Sequence, residues 1–256
     1  MIQDRIIQQA LLQILTPVFE PVFSPSSHGF RPERGCQTAL AVVDRAVRHG
    51  YTWVVDADIR RFLDNVDHDL LIAALNEEIA DGSVLNLIRA ILEAGVIHPD
   101  TSELESTELG TPQGGPLSPL LANIYLHLLD RAMAGQYGLV RYADDFVIFA
   151  RSQAEAEEAL TRVRAILEGE LKLTLHPEKT RVVTVDSGFE FLGFHYFRTA
   201  KGLLLKAPRR KSMQKFRDAV RSHTPRIGNQ RKPKETFFHA GSPAPQRAAG
   251  SDDPAS

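Results

Sequence analysis

The sequence predicts an α+β fold, an antiparallel sheet with helices packed on one face. Three observations predict it. The run Tyr51–Ile59 (YTWVVDADI) is rich in aromatic and β-branched residues and reads as a strand. Leu139–Ala150 (LVRYADDFVIFA) reads as two short strands about a tight turn. Between and beyond them, apolar residues recur at helical spacing, so the order is strand, helices, hairpin, helix, strand.

The elements follow in order. Ile2, Ile6, Ile7, Ala10, Leu11, Ile14 and Leu15 mark an amphipathic helix that Pro17, Pro21 and Pro25 are expected to end. Nothing caps its start, which suggests that sequence upstream is absent. Ser24–Arg34 (SPSSHGFRPER) is a loop, and a helix over Gln37–His49 leads into the first strand. Helices are expected over Asp67–Ala80 and Ser83–Ala94, and weak strands within Val96–Leu109 form a β-ribbon. Gly110–Pro119 (GTPQGGPLSP) is a turn-forming segment that closes on Ser118-Pro119, an N-cap followed by proline at the first helical position. After the hairpin, Ser152 with Glu155 forms a capping box for a helix whose Ala156, Ala159, Leu160, Val163 and Leu167 line one face. Strands at Arg181–Val185 and Phe189–Leu205 close the body, a short basic helix follows, and the Pro-, Gly-, Ala- and Ser-rich residues 226–256 read as disordered.

Composition narrows the class. With 43% hydrophobic and 24% charged residues the chain is not disordered throughout, and no 18-residue uncharged apolar stretch exists to span a bilayer. The lone Cys36 and the absence of a signal-peptide pattern point to a reducing, cytoplasmic setting. The formal charge of −2 hides a partition: residues 1–205 carry 18 bases against 28 acids, and residues 206–236 carry 11 bases against 2 acids. Such a basic block is either a footprint for nucleic acid or a solvated tail, and charge alone does not choose between them.

The chemistry gathers at two strand ends. Period-two alternation sets Asp56 and Asp58 on one face of the first strand, and Asp144 and Asp145 occupy the turn of the hairpin. Asp-Asp is ordinary turn chemistry on its own. Beside so much apolar sequence, however, unpaired carboxylates are costly, and carboxylates converging from separate strands are the hard oxygen ligands that two-metal phosphoryl transfer requires. His28, His68 and His176 lack a second ligand at metal-binding spacing and are expected to be solvent-facing or capping.

Tyr142-Ala143-Asp144-Asp145 resembles the Tyr-x-Asp-Asp box of reverse transcriptases. With SSHGFRPERG, DADIRRFLDNVDHDLL, GTPQGGPLSPLLANIYL, LTLHPEKT and FEFLGF, in that order, it is similar to the successive blocks of the group II intron-encoded reverse transcriptase and maturase family, over roughly residues 3–222. The resemblance implies a right-hand polymerase: partial fingers (1–50), a palm on a ferredoxin-like sheet (51–205), the start of a helical thumb (206–225) and a tail (226–256). It implies RNA-templated DNA synthesis from dNTPs on a DNA primer with an intron RNA template. Two Mg²⁺ ions, or Mn²⁺ in their place, are held by Asp58, Asp144, Asp145 and the Ile59 carbonyl. Arg31 matches a residue that contacts the incoming triphosphate, with pairing to Glu33 as the alternative. Gln113 matches a residue of the nucleotide pocket, and Lys179 matches a block whose lysine protonates pyrophosphate. Phe191, Leu192, Gly193 and Phe194 match the primer grip. No membrane partner is implied, and the oligomeric state is left open.

Three departures from the family pattern stand out. Leu63 replaces the aromatic that crowds the sugar 2′ position, which weakens the expected discrimination against ribonucleotides. Fingers sequence expected before Gln3 is missing, and the thumb begins near Ala207 and gives way to sequence without helical period. These departures keep three alternatives beside the polymerase: an RNA-binding maturase fragment that assists splicing, an inactive remnant, and a retron-type or other bacterial reverse transcriptase.

Overall fold

The computed structural model describes residues 2–94, 96–97, 104–105, 109–112, 114–199 and 201–224. Gln113, most of the expected ribbon and the tail 226–256 lie outside the described residues. The chain divides into two compact units, Met1–Met213 and Gln214–Ser256. The second is described only over Gln214–Thr224, nearly all of it helical.

The first unit begins with helices α1 (Ile2–Phe19) and α2 (Cys36–Arg48), then strand β1 (Trp53–Asp58), helices α3 (His68–Asn76) and α4 (Gly82–Glu93), and the two-residue strands β2 (Val96–Ile97) and β3 (Leu104–Glu105). Helix α5 (Ser118–Met133) leads into the hairpin β4 (Gly138–Tyr142) and β5 (Asp145–Ala150). Helix α6 (Gln153–Arg164) runs on into a π-helical turn, Ala165–Glu170, ahead of β6 (Arg181–Thr184). Strands β7 (Phe189–Phe191), β8 (Phe194–Arg198) and β9 (Leu204–Pro208) follow, and α7 (Arg210–His223) starts in this unit.

Helix α1 does not stop at Pro17 as expected but continues to Phe19. Buried Leu15 and Phe19, with Phe23 6.2 Å from Phe19 between ring centroids, hold the last turn in the core. Tertiary packing of this kind outweighs the single backbone bond that a proline removes.

A four-stranded antiparallel sheet in the order β4-β5-β1-β6 organises the unit. One face, through Val55, Ala57, Phe146 and Ile148, packs on α5, α6 and the other helices. The opposite face, through Val54, Val140, Val147 and Phe149, is covered by α2 and the small sheet β7-β8-β9. The expectation of helices on one face therefore misses α2. Every residue of β5 from Phe146 to Ala150 is buried, and that continuous apolar run is what a strand covered on both sides requires. The acidic residues at the ends of β1 and β5, with buried Arg141 near the end of β4, mark where the candidate site lies.

Candidate active site

Strands β1 and β5 run antiparallel in a register that sets Asp58 directly opposite Asp145. Like charges facing each other across a ladder are unfavourable, so the sheet ends in a pair that the fold itself does not favour. Asp56, two residues back on the same face, pairs with Val147, and Asp144 sits in the two-residue turn between β4 and β5. Burial pushes the Asp145 carboxyl up to about 6. The Leu192 N–H opposes this, and the charges of Asp56, Asp144 and Asp58 add to it. Burial likewise raises Asp56, against the Arg181 guanidinium, which donates to its carboxylate at 2.9 and 3.1 Å. The Lys179 ammonium donates to the Asp58 carboxylate.

The turn is strained and held. Ala143, the first turn residue, has φ 56°, a conformation that hairpin turns usually assign to glycine, asparagine or aspartate. Arg141, one residue before Tyr142, is fully buried and donates through Nη1 to the Ala143 carbonyl at 2.8 Å. Its other N–H groups reach both carboxylate oxygens of buried Asp130 on α5 (2.7 and 2.6 Å), the Asn123 side-chain oxygen (3.0 Å) and the Ser27 hydroxyl (3.0 Å). All five guanidinium donors are thus used, the condition under which a buried ion pair is tolerated. The loop before α2 lies on the same turn. The Arg141 N–H donates to the Ser26 carbonyl, the His28 N–H donates to the Arg141 carbonyl, and Asn123 donates to the Gly29 carbonyl at 2.8 Å. At Gly29 a β-carbon would lie 2.5 Å from the Ala143 nitrogen, so only glycine permits the approach.

One further segment closes on the carboxylates, and another packs on the turn after β1. The β7–β8 turn, Leu192-Gly193, has φ of 47° and 82°, and its Leu192 N–H faces Asp145. The Gly110 N–H donates to the Val66 carbonyl and the Thr111 N–H to the Leu63 carbonyl, both at 2.8 Å. This pins the segment leading to Gln113 against the turn that follows β1.

Among the described residues, no three His, Cys, Asp or Glu side chains are gathered closely enough to form a ready metal cage. The donor set is nonetheless all oxygen, and the Asp56, Asp144 and Asp58 charges that add to the burial effect on Asp145 are of the kind a divalent cation offsets.

The sequence profile of the family described as reverse transcriptase (RNA-dependent DNA polymerase) matches residues 1–196. The chain belongs to the reverse transcriptase family. Protein YkfC of Escherichia coli is 32% identical over 236 residues, 77% of this chain and 61% of that protein. The group II intron-encoded protein LtrA of Lactococcus lactis is 48% identical over 128 residues, half of this chain and 21% of that protein. The chain thus spans less than two thirds of these relatives. Among solved structures, apo telomerase from Candida tropicalis, truncated from its C-terminal domain, superposes with a TM-score of 0.58 at 12% identity, over 78% of this chain and 45% of that one. At that identity the likeness concerns the fold, and it supports a reverse transcriptase palm. The family is divalent-metal dependent in general.

Within this reverse transcriptase fold, Asp58, Asp144 and Asp145 come together at the ends of neighbouring strands, with Lys179 on Asp58 and Leu192 beside Asp145. Ile59 bridges Leu175 next to Asp58, and Leu63 is 36% exposed near Thr111. Phe191 is buried in the core, while Phe194 is partly buried. Arg31 differs from its expectation. Its side chain is buried, with Nε and Nη2 donating to the Glu20 carboxylate (2.7–3.2 Å) and Nη1 to the Ser24 and Ser27 carbonyls (2.6 and 2.9 Å). Its guanidinium is spent within the loop, and its partner is Glu20 rather than Glu33. His28 and His68, expected to face solvent or to cap, are buried, and the His68 Nε2–H donates to the Gly110 carbonyl at 2.7 Å.

Sequence reasoning missed Arg141, Asp130, Asn123, Ser27 and Gly29. A signal existed: Arg141 stands inside an apolar strand and Asp130 inside an apolar helix, and opposite charges in such positions are expected to find each other.

Proposed function

We propose that the chain carries the catalytic palm of an RNA-directed DNA polymerase of group II intron type, adding nucleotides from dNTPs to a primer 3′-hydroxyl on an RNA template. The observation that carries this reading is the Asp58–Asp145 cross-strand pair with Asp144 in the adjoining turn. Asp58, Asp144, Asp145 and the Ile59 carbonyl would hold two Mg²⁺ ions, or Mn²⁺ instead. The bound ions would supply charge neutralisation at the triphosphate and a more acidic 3′-hydroxyl. Lys179, already drawn to Asp58, is assigned to the pyrophosphate side. Leu63 and Gln113 are assigned to the nucleotide, and the Phe191–Phe194 turn to the primer end. In domain terms, residues 1–50 act as partial fingers, 51–205 as palm and 206–225 as the start of a thumb. The exposed, unpaired Cys36 suits a cytoplasmic site of action.

A second reading, RNA binding in support of splicing, is favoured by one relative. Nuclear intron maturase 2 of Arabidopsis thaliana is 31% identical over 218 residues, 70% of this chain and 29% of that protein. A primer-extension assay on poly(rA)·oligo(dT) with dTTP and Mg²⁺, beside Asp144→Ala, separates the two. Extension by the parent alone supports the polymerase. RNA binding without extension supports the maturase reading, and the absence of both supports an inactive remnant.

A further inference from the structure

Phe30 is a large apolar side chain left 61% exposed, directly between the two most firmly anchored residues of its loop. Gly29 is fixed by Asn123 and by its close approach to Ala143, and Arg31 by Glu20 and two loop carbonyls. Between them Phe30 has φ 54°, a left-handed conformation that is an outlier for a bulky residue. Strain of this kind, about 1–3 kcal/mol, persists only where surrounding structure enforces it, and it concentrates at binding sites. What the strain achieves here is presentation. The Phe30 ring stands 5.9 Å from the ring of Tyr142, tilted by 47°, and Tyr142 pairs across the hairpin with Asp145. Among the described residues Phe30 belongs to neither buried apolar cluster, and an exposed ring backed by the partly buried Tyr142 beside the Asp144 turn suits a flat, aromatic, sequence-tolerant ligand.

We propose that Phe30, backed by Tyr142, is a preset platform on which a nucleobase of the primer–template end stacks, so that Arg31 serves the nucleic acid by holding Phe30 in place. The assignment rests on the polymerase reading, because it takes the strand ends bearing Asp58 and Asp145 as the place where the primer terminates. Stacking on one aromatic side chain is worth about 5- to 150-fold in affinity, and it depends on a ring rather than on this residue in particular.

The test uses the full chain and a primer–template duplex carrying 2-aminopurine, placed in turn at the primer 3′ end and at the first template positions. Duplex affinity, 2-aminopurine quenching and thermal midpoint are read for the parent, Phe30→Trp, Phe30→Ala and Phe30→Gly. At one position the parent and Phe30→Trp should quench, and Phe30→Ala should lose that quenching with an affinity at least about 5-fold weaker. Phe30→Gly should lose both while its midpoint is unchanged or higher, because glycine adopts φ 54° without strain. Equal affinity and quenching in the parent and Phe30→Ala would overturn the platform, even if the parent extends primers. Loss of affinity tracking a lower midpoint in both small variants would assign Phe30 to the fold and also overturn it. A parent that binds and quenches but does not extend would leave the platform standing and sink the polymerase reading, whereas failure to bind the duplex would sink both.

Discussion

Replacing Arg141 should separate what stabilises the palm from what shapes its catalytic turn. Arg141 and Asp130 are both fully buried, and the guanidinium satisfies both carboxylate oxygens at 2.6 and 2.7 Å. Truncating one member strands the other charge in the interior, which costs about 3–5 kcal/mol. Arg141→Met and Asp130→Leu alone should therefore each lower the unfolding free energy by about that amount. Together they replace the pair with hydrocarbon, a change that is neutral or stabilising by about 1–4 kcal/mol in comparable buried pairs. Against this, the Ala143 carbonyl loses its donor at 2.8 Å, while Asn123 and Ser27 lose theirs but keep their bond to each other, a deficit of about 1–3 kcal/mol. The two contributions nearly cancel, so the double variant should come within about 2 kcal/mol of the parent. Its turn would nonetheless lack the contact that holds Ala143 at φ 56°, and with it the fixed position of Asp144. The expected outcome is near-parental urea unfolding with primer extension reduced at least about 10-fold, since small misplacements of reacting groups cost rate steeply. Parental extension rates in the double variant would refute the positioning argument. Single variants destabilised by less than about 1 kcal/mol would refute the energetics of the buried pair.

The remaining predictions concern the site itself. Asp145→Asn should abolish extension and yet raise the thermal midpoint of the metal-free protein at pH 8. Because the Asp145 carboxyl is raised to about 6, the folded state holds its proton more tightly than the unfolded chain. Stability should thus fall as pH climbs from the ordinary carboxylate range through about 6, and Mg²⁺ should restore it above that pH; a parent and variant with the same pH profile would contradict this. Gly29→Ala places a β-carbon 2.5 Å from the Ala143 nitrogen and should cost about 1–3 kcal/mol in urea unfolding, together with extension activity. Leu63→Phe should lower ribonucleotide incorporation relative to deoxynucleotides in single-nucleotide extension; an unchanged ratio would remove Leu63 from sugar selection.

Much of this is legible in the sequence, and the limits have physical causes. Strand β1 and the β4–β5 hairpin fall within two residues of their expected bounds, because aromatic and β-branched runs next to a two-residue turn have few other solutions. The pairing of Asp58 with Asp145 follows once those strands are neighbours. Position along the chain, however, says nothing of which face a helix takes. Helix α2 could be drawn from its period, but its place opposite α5 and α6 depends on Val54, Val140 and Val147 pointing away from them. Arg31 shows the same limit at the level of one side chain. An arginine in a glycine- and proline-containing loop looks available for phosphate, and only the fold brings Glu20 from the end of α1 across to claim it.

The segment of residues 1–205 is acidic, with 18 bases against 28 acids, and this constrains how the site can hold a polyanion. Long-range steering by net charge works against that segment. Under the polymerase reading proposed above, affinity would come instead from short-range contacts: cations held by Asp58, Asp144 and Asp145, the proposed stacking on Phe30, and backbone N–H groups in strained turns. Ala143, Leu192, Phe30 and Arg61 all have positive φ without being glycine, and the first three lie in the turns and the loop that close on the carboxylates. Each is fixed by its surroundings: Ala143 by Arg141, Leu192 by the ladder of β7 and β8, Phe30 by its two neighbours. Rigid turns on packed strands lose little entropy when a ligand arrives, so a site with an unfavourable overall charge gains from preorganisation what it lacks in attraction.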